Sequence, residues 1–249
     1  MRFSSKVCLV IVAKNESLGL KKFIPQLLKF KNTELFVLDG MSTDGSLEYL
    51  RRNKKIQIFI EKKNQTISMF LPIMLKKTKA KYLIFFQPDG NCDVKKIFKF
   101  NKFIKNNYDL IVASRYLQNA KSYDDNLISS IGNFTFTKIV NFLFARFNVK
   151  LTDALVGYRA IKIKTLKELN VHSRKNYEFL EKILKVSLSW DIVMTCKILA
   201  DKSKKYIEFP CSEPKRIGGV EKKRVIKWGI SYLAQIMNIY FYAKLAKFK

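Results

Sequence analysis

Two polar segments of the chain carry residue types that could bind a nucleotide or a metal ion. The first is Leu-Asp-Gly-Met-Ser-Thr-Asp-Gly-Ser at residues 38–46, which follows a short apolar run. Because Asp39 comes directly after that run, its carboxylate can accept a hydrogen bond from a nucleobase imide or a ribose hydroxyl. Asp44 stands just before a predicted helix, where Asp commonly caps the first turn. We therefore interpret Asp39 as a ligand residue and Asp44 as a helix cap.

The second segment is Gln-Pro-Asp-Gly-Asn-Cys-Asp at residues 87–93. A diphosphate leaving group develops negative charge, which a divalent cation held by oxygen ligands can neutralise. Asp89 offers a carboxylate for such a cation, and Asn91 or Asp93 offers a second oxygen. Pro, Asp, Gly and Asn also form turns, so the segment alone fits either a metal site or a turn. Its position after a predicted strand favours the metal site.

The elements that must position these residues alternate along the first half of the chain. Apolar runs predict strands at residues 7–13, 34–38, 57–60, 82–86 and 110–113. Helical spacing predicts helices at residues 18–30, 46–52, 67–77 and 94–106. Strands that alternate with helices form βαβ units, so we predict an α/β fold with a mostly parallel sheet and helices on both faces.

Polar clusters follow four of the predicted strands, at residues 14–16, 39–44, 87–93 and 114–115. In open parallel sheets the ligand binds beyond the carboxyl ends of the strands. The placement of all four clusters at that edge predicts a binding site there.

Composition is less decisive. The 249 residues are 48% hydrophobic, which fits one large folded domain. The four cysteines are scattered without a CxxC pair, which indicates a reducing compartment and neither a disulfide frame nor a zinc site. The net charge of +28 suits anionic partners such as a nucleotide, a phospholipid or a nucleic acid. Abundant Lys, Asn, Ile and Phe would also follow from an AT-rich genome, so charge alone decides little.

The C-terminal segment is apolar with basic flanks. Residues 228–243 carry no charge, but they fall short of the ~20 residues that span a bilayer. Lysines and an arginine stand before this segment, and further lysines follow it. The pattern fits an amphipathic helix in the membrane interface, and it also fits a helix docked on the core or a dimer interface. We expect a first domain at residues 1–222 and this helix at residues 223–249.

From residue 6 to about residue 227, the ordered motifs resemble inverting family-2 type glycosyltransferases of the GT-A (Rossmann-like) fold. Within that family the chain is most similar to dolichyl- and polyprenyl-phosphate sugar synthases. The matching segments are Val-Ala-Lys-Asn-Glu at 12–16, Asp-Gly-Met-Ser-Thr-Asp-Gly at 39–45, Gln-Pro-Asp at 87–89, Ala-Ser-Arg at 113–115, Asp153 with Gly-Tyr-Arg at 157–159, and Arg-Ile-Gly-Gly-Val-Glu-Lys at 216–222. Gln87 departs from the family pattern, because it replaces the first carboxylate of the Asp-x-Asp metal motif.

The resemblance implies a role for each matching residue. Ala13, Glu16 and Asp39 would bind the nucleotide, and Asp89 with Asn91 would bind Mg²⁺ or Mn²⁺. The residues implied to contact the phosphates of donor or acceptor are Arg115, Arg216 and Lys222, the last two on a loop that could close over the donor. Asp191 stands where relatives place an acidic residue, so it is either a general base or a charge at a helix N-terminus. Arg115 also fits a structural ion pair, and Lys222 fits a solvated surface lysine.

The expected activity is metal-dependent, inverting transfer of a sugar from a UDP- or GDP-sugar. The acceptor would be a polyprenyl phosphate or a cell-surface glycan, reached by a cytoplasmic protein that lies on the inner face of the cell membrane, with homodimer formation left open. One alternative is a sugar-phosphate nucleotidyltransferase, but residues 13–17 lack the glycine-rich phosphate loop of such enzymes. The other is a basic nucleic-acid-binding protein, in which acidic residues at the strand ends would repel phosphate. We therefore expect no nucleic-acid partner.

Overall fold

The structure is a computed structural model that describes residues 1–63, 65–145, 150–217 and 225–245. For residues 225–226 and 243–245 it describes the backbone alone. Within these residues the strands are β1 (Arg2–Ala13), β2 (Lys31–Asp39), β3 (Ile56–Ile60), β4 (Tyr82–Phe86), β5 (Leu110–Ser114), β6 (Arg159–Lys162) and β7 (Tyr206–Pro210). The helices are α1 (Ser17–Leu27), α2 (Ser46–Arg51), α3 (Phe70–Lys77), α4 (Phe100–Lys105), α5 (Leu127–Phe144), α6 (Ile163–Glu168), α7 (Glu178–Leu184), α8 (Trp190–Ala200) and α9 (Val225–Leu245).

The described strands form one sheet in the order β3-β2-β1-β4-β6-β5-β7. β1 pairs in parallel with β2 and β4, and β2 pairs in parallel with β3. β6 runs antiparallel to both of its neighbours, β4 and β5. The predicted mostly parallel α/β sheet is therefore confirmed, with one reversed strand that the sequence did not predict. β6 has only four residues and begins and ends with basic side chains, so it lacks the apolar run that marks the others.

The register of the sheet brings the predicted polar clusters to one edge. Ala13 pairs with Asp39, and Asp39 pairs with Ile60, so β1, β2 and β3 end side by side. β4 continues that edge, because Ile11 pairs with Phe86. All five residues of β4 and all five of β5 are buried, as expected for strands covered on both faces.

The second half of the chain packs helices against this frame. α9 contacts both α5 and α8, and the Phe136 and Tyr232 rings meet at 6.1 Å in a T-shaped pair. The expected C-terminal helix is thus present, while the domain boundary at residue 222 stays a prediction. In the described part of the chain, α5 alone is long and apolar enough to cross a membrane by length and composition.

Candidate active site

A cleft of about 390 Å³ lies at the carboxyl edge of the sheet. It draws residues from the loops after β1, β2, β3 and β4, and from the start of α8. Its polar and glycine lining residues, with two tryptophans, are Lys14, Glu16, Gly40, Glu61, Gln87, Asp89, Gly157, Ser187, Ser189, Trp190, Asp191 and Trp228. The structure thus brings together Ala13, Glu16, Asp89 and Asp191, which the sequence analysis had identified separately as candidate site residues.

Asp39 lies between Leu38 and Gly40, which both line the cleft, and it is 0% exposed. Its Oδ1 accepts a hydrogen bond from the Ser42 backbone N–H at 2.9 Å, whereas Oδ2 is buried without a hydrogen-bond partner. An unpartnered buried carboxylate oxygen is costly. A ligand imide or hydroxyl would satisfy it, which fits the nucleotide role expected for Asp39.

The loops around Asp39 are held rigidly by side-chain hydrogen bonds. Asn15 donates its backbone N–H to the Ser42 hydroxyl at 2.9 Å, which joins the loop after β1 to the loop after β2. Asp44 accepts the N–H of Ser17 at 2.9 Å and that of Ser46 at 3.1 Å, the first residues of α1 and α2. Asp44 therefore caps two helix starts, although the N-cap position of α2 is Gly45, with a φ of 84°.

Glu61 is a cleft residue that the sequence analysis missed. It directly follows β3, and its backbone N–H donates to the Asp39 carbonyl at 2.8 Å. Burial raises the pKa of Glu61 and nearby Asp39 raises it further, while Lys14 opposes the shift. The signal was available, because a polar residue after the third predicted strand follows the same rule as the four clusters. Glu61 gives the nucleotide side of the cleft a second carboxylate.

Asp89 belongs to a cluster in which two carboxylates share one arginine. Its Oδ1 accepts the Asn91 N–H at 3.1 Å, and its Oδ2 lies 3.3 Å from Nη2 of Arg216. The Asn91 amide donates to Oδ2 of Asp124 at 3.0 Å, and Nε of Arg216 lies 3.7 Å from that same oxygen. Asp124, from the loop between β5 and α5, is a further residue that sequence reasoning missed, because only the fold brings it near the loop after β4.

The oxygens of this cluster fit a divalent cation that has few protein ligands. The carboxylates of Asp89 and Asp124 are hard donors, and Oδ1 of Asn91 is buried without a hydrogen-bond partner. Among the residues that the structure describes, no three His, Cys, Asp or Glu side chains cluster as a metal cage. Mg²⁺ commonly keeps waters and substrate phosphates as its other ligands. Asp93, the alternative to Asn91, accepts the Lys95 N–H at 2.9 Å and so caps the next turn.

Asp191 lines the cleft at the start of α8. Ser189 donates its hydroxyl to Oδ2 at 2.6 Å, while Oδ1 has no hydrogen bond and lies 3.7 Å from Nε of Arg159. Burial raises the pKa of Asp191, although Arg159 and Ser189 oppose the shift. A cleft carboxylate with a raised pKa can take a proton from a bound hydroxyl.

Arg115 is not among the residues that line this cleft. Its guanidinium donates to Asp153 at 2.7 and 3.0 Å, to Glu213 at 3.2 Å, to Asp125 at 3.3 Å and to Asn133 at 3.2 Å. Although burial opposes it, Asp153, Glu213 and Asp125 raise the pKa of Arg115. All five N–H donors are therefore engaged. The phosphate contact expected for Arg115 would require one of these bonds to open, so that role stays a prediction beside an observed structural ion pair.

Of the other two residues expected to contact phosphate, the structure describes Arg216 but not Lys222. Arg216 is held near the loop after β4 by its ion pair with Asp89. The backbone supports this position, because the Ile217 N–H donates to the Asp89 carbonyl at 2.7 Å. Lys222, and the part of the predicted closing loop beyond residue 217, lie outside the described residues.

A mostly parallel sheet with a carboxylate-lined cleft across its strand ends is the arrangement in which α/β enzymes bind their ligands. The sequence model of glycosyl transferase family 2 matches residues 8–168, about two thirds of the chain. The chain belongs to that family and is a glycosyltransferase. The family assignment favours sugar transfer over the nucleotidyltransferase and nucleic-acid-binding alternatives.

Solved glycosyltransferases share the fold at low sequence identity. Mannosyl-3-phosphoglycerate synthase from Rubrobacter xylanophilus is 10% identical with a TM-score of 0.62, over 96% of this chain and 75% of that one. Glucosyl-3-phosphoglycerate synthase from Mycobacterium tuberculosis, in complex with Mn²⁺, UDP and glucosyl-3-phosphoglycerate, is 13% identical with a TM-score of 0.59, over 94% and 80%.

A mannosyltransferase from Pyrobaculum calidifontis, in complex with GDP-Man and Mn²⁺, is 13% identical with a TM-score of 0.55. It is matched over 97% of this chain, which spans 64% of that longer protein. A sequence search of curated proteins found no match. These likenesses establish the GT-A fold of the chain.

Proposed function

We propose that this chain transfers a sugar, with inversion, from a UDP- or GDP-sugar in a reaction that needs Mg²⁺ or Mn²⁺. The observation that carries the proposal is the arrangement of the cleft. Leu38 and Gly40, the chain neighbours of Asp39, line the cleft together with Asp89 and Asp191, and Oδ2 of Asp39 is buried without a hydrogen-bond partner. A nucleotide bound over Asp39 would place its diphosphate toward Asp89, with the sugar between Asp89 and Asp191. Two fold neighbours are complexes with Mn²⁺ and either GDP-Man or UDP, which supports the use of a divalent cation with a nucleotide donor.

The nucleoside would lie at the ends of β1, β2 and β3. Oδ2 of Asp39 would accept a hydrogen bond from the base imide or a ribose hydroxyl, and its burial makes that bond strong. Glu16 and Glu61 line the same part of the cleft and offer further acceptors for ribose hydroxyls. Ala13, the last residue of β1, offers a small side chain that lets a flat base approach the sheet edge.

Asp89, Asn91 and Asp124 would hold the cation. When bound, it would neutralise the negative charge that develops on the departing nucleoside diphosphate. Arg216 pairs with both carboxylates in the structure, so it is positioned to move onto the diphosphate when a cation takes its place between them. Lys222 would add a second positive charge from the closing loop.

The acceptor would be a polyprenyl phosphate or a cell-surface glycan. A glycan hydroxyl must lose a proton as it attacks the sugar, and the carboxylate of Asp191, which lines the cleft, would take it. A lipid phosphate is already ionised and needs no base. We place the protein on the cytoplasmic face of the cell membrane, with the uncharged stretch and basic flanks of α9 in the interface, and a homodimer through α9 is the alternative.

The experiment that tests this proposal pairs Asp89 with a matched neighbour. A thermal-shift screen of UDP- and GDP-sugars with Mn²⁺ first identifies the donor, because a ligand that binds the native state raises its stability. Asp89→Ala is then expected to lower transfer by at least about a hundredfold while the protein stays folded. Asp93→Asn is the control, because Asp93 lies in the same loop but caps a turn. Full transfer activity of Asp89→Ala with Mn²⁺ or Mg²⁺ would contradict the assignment of Asp89 as a metal ligand.

A further inference from the structure

One side of α5 is apolar and exposed. Residues 127, 131, 134, 138 and 142 recur at intervals of three and four, so they share one helix face. Phe142 is 87% exposed. The α5 face is defined by its large exposed apolar side chains, which are Leu127, Ile128, Ile131, Phe134 and Phe142. Contiguous exposed patches of this kind on folded proteins mark interaction surfaces.

Beside the α5 face runs a groove of about 910 Å³, which we call the lysine groove. It is lined by Tyr116, Phe134, Thr137, Lys138, Asn141, Phe142, Ala145, Lys150, Leu151 and Thr152, and none of these is acidic. Lys138 and Lys150 are exposed, and Nζ of Lys138 lies 5.1 Å from the Phe134 ring centroid. Two exposed aromatic rings therefore stand beside two exposed ammonium groups on one surface.

The side of α5 adjacent to this face ties the helix to the domain. Asn133 accepts from Arg115 at 3.2 Å, and Thr137 accepts the Ala154 N–H at 3.1 Å. Asn141 makes two bonds to the Leu151 backbone, at 2.7 and 2.9 Å. A helix joined to folded chain by these polar contacts cannot cross a bilayer as an isolated span, because the polar partners would have to enter lipid with it. Its apolar face is exposed in the structure and so is available to a partner from outside the domain.

Charge decides what covers this face. A second copy of the chain would bring Lys138 and Lys150 toward the same lysines, and each copy carries a net charge of +28. An anionic bilayer offers phosphates to the lysines and acyl chains to the phenylalanines, with no like charges in contact. Neither α5 nor α9 contains an acidic residue that would be repelled. We infer that the α5 face and the lysine groove dock on an anionic lipid bilayer.

This docking surface lies next to the cleft. Ile128 of the α5 face and Trp228 of α9 line one small pocket of about 120 Å³, and Trp228 also lines the cleft. A bilayer against α5 would therefore lie near the sugar-transfer site, within reach of an acceptor carried by lipid. The inference rests on the proposed function, whose membrane contact it extends from α9 to α5. Lipid binding is measured without a donor, so its failure is distinct from a failure of transfer.

The test is flotation of the full chain with vesicles of phosphatidylcholine, with and without phosphatidylglycerol. Because a net charge of +28 attracts anionic lipid anywhere on the surface, charge must be matched between variants. Lys138→Glu with Lys150→Glu is compared with Lys105→Glu and Lys167→Glu, whose lysines lie in a groove at the opposite edge of the sheet. Both pairs change the net charge equally. The first pair is expected to weaken binding at least about tenfold more than the second.

A second pair of variants tests the apolar part of the surface. Phe134→Ser with Phe142→Ser is expected to lower binding to anionic vesicles about tenfold or more. Leu18→Ser with Ile73→Ser, exposed side chains on α1 and α3, serve as the matched control and should leave binding unchanged. Donor-induced thermal shift should be the same in all four variants, which shows that they fold. Equal losses in test and control variants, or a concentration-dependent dimer that dissociates on Phe142→Ser, would overturn the inference.

Discussion

Asp39 and Asp153 are both 0% exposed, yet their carboxylates are used in opposite ways. Asp153 accepts four hydrogen bonds: three from Arg115, at 2.7, 3.0 and 3.1 Å, and one from the Val156 N–H at 3.2 Å. Asp39 has one protein bond on Oδ1 and none on Oδ2. The folded chain satisfies the Asp153 carboxylate with hydrogen bonds, whereas it leaves Oδ2 of Asp39 without a partner.

The difference separates structural from ligand-binding carboxylates better than burial does. Within the described residues, the aspartates that have a buried oxygen without a hydrogen bond are Asp39 and Asp191. Asp191 lines the cleft, and Asp39 lies between the lining residues Leu38 and Gly40. Burying such an oxygen costs free energy, which a protein recovers when a ligand or a reacting proton occupies the position. Asp153 instead neutralises Arg115 and fixes the loop before β6. Three predictions test this division.

The largest expected effect is a lower rate of sugar transfer when Asp191 is replaced. With a hydroxyl acceptor, Asp191→Asn should lower kcat/KM about 10²–10⁴-fold, because the general base is lost. The base must be ionised, and burial raises its pKa above the ordinary 3.8, so wild-type kcat/KM should fall as pH is lowered through that raised pKa. The measurement is kcat/KM against pH for both proteins. An unchanged rate in Asp191→Asn with that acceptor would exclude Asp191 as the general base.

The next effect is on stability at Asp153. Asp153→Asn should lower the free energy of unfolding by about 3 kcal/mol, because it weakens a buried ion pair that other groups only partly replace. Urea unfolding should show a lower midpoint with the same slope. Glu168→Gln, which removes an exposed partner of Lys204, is the control and should change stability little. If Asp153→Asn is as stable as the wild type but binds the donor more weakly, Asp153 is a ligand-binding residue and not a structural one.

The smallest effect is on donor affinity at Asp39. Asp39→Asn should raise the Kd of the donor nucleotide about tenfold to a hundredfold, which corresponds to one hydrogen bond to a charged group. Stability without ligand should stay the same or rise, because an unpartnered buried charge is removed. Calorimetric titration with the nucleotide and urea unfolding measure the two quantities. Loss of stability without loss of affinity would place Asp39 with Asp153 as a structural residue.

Much of the nucleotide side of the molecule could be predicted from the sequence. The strands that end at Ala13 and Asp39, and the strand that precedes Asp89, are apolar runs, because a parallel sheet covered on both faces buries its side chains. Such runs end at one edge, so the residues after them share a site. Glu61 obeys this rule and was missed only because one polar residue after a short strand gives a weak pattern.

The other side of the cleft depends on contacts between distant segments. Asp124 joins Asn91 across 33 residues, and Arg115 joins Glu213 across 98. No local spacing encodes such pairs, and a motif match cannot tell whether an arginine is free or already engaged. β6 was hidden for a related reason, since its buried Arg159 is satisfied by carbonyls and Thr195, partners that only the folded chain supplies.

The sequence by itself determined the α/β class, the edge of the sheet where ligands bind and the aspartates that stand there, because these follow from local apolar patterns. The tertiary structure decided which of the polar groups stay open to a ligand. It paired Asp153 with Arg115 and left Oδ2 of Asp39 and Oδ1 of Asp191 without hydrogen bonds. It also exposed the apolar side of α5 to solvent. Hydrogen-bond satisfaction and burial are properties of the packed chain, so no single segment could reveal them.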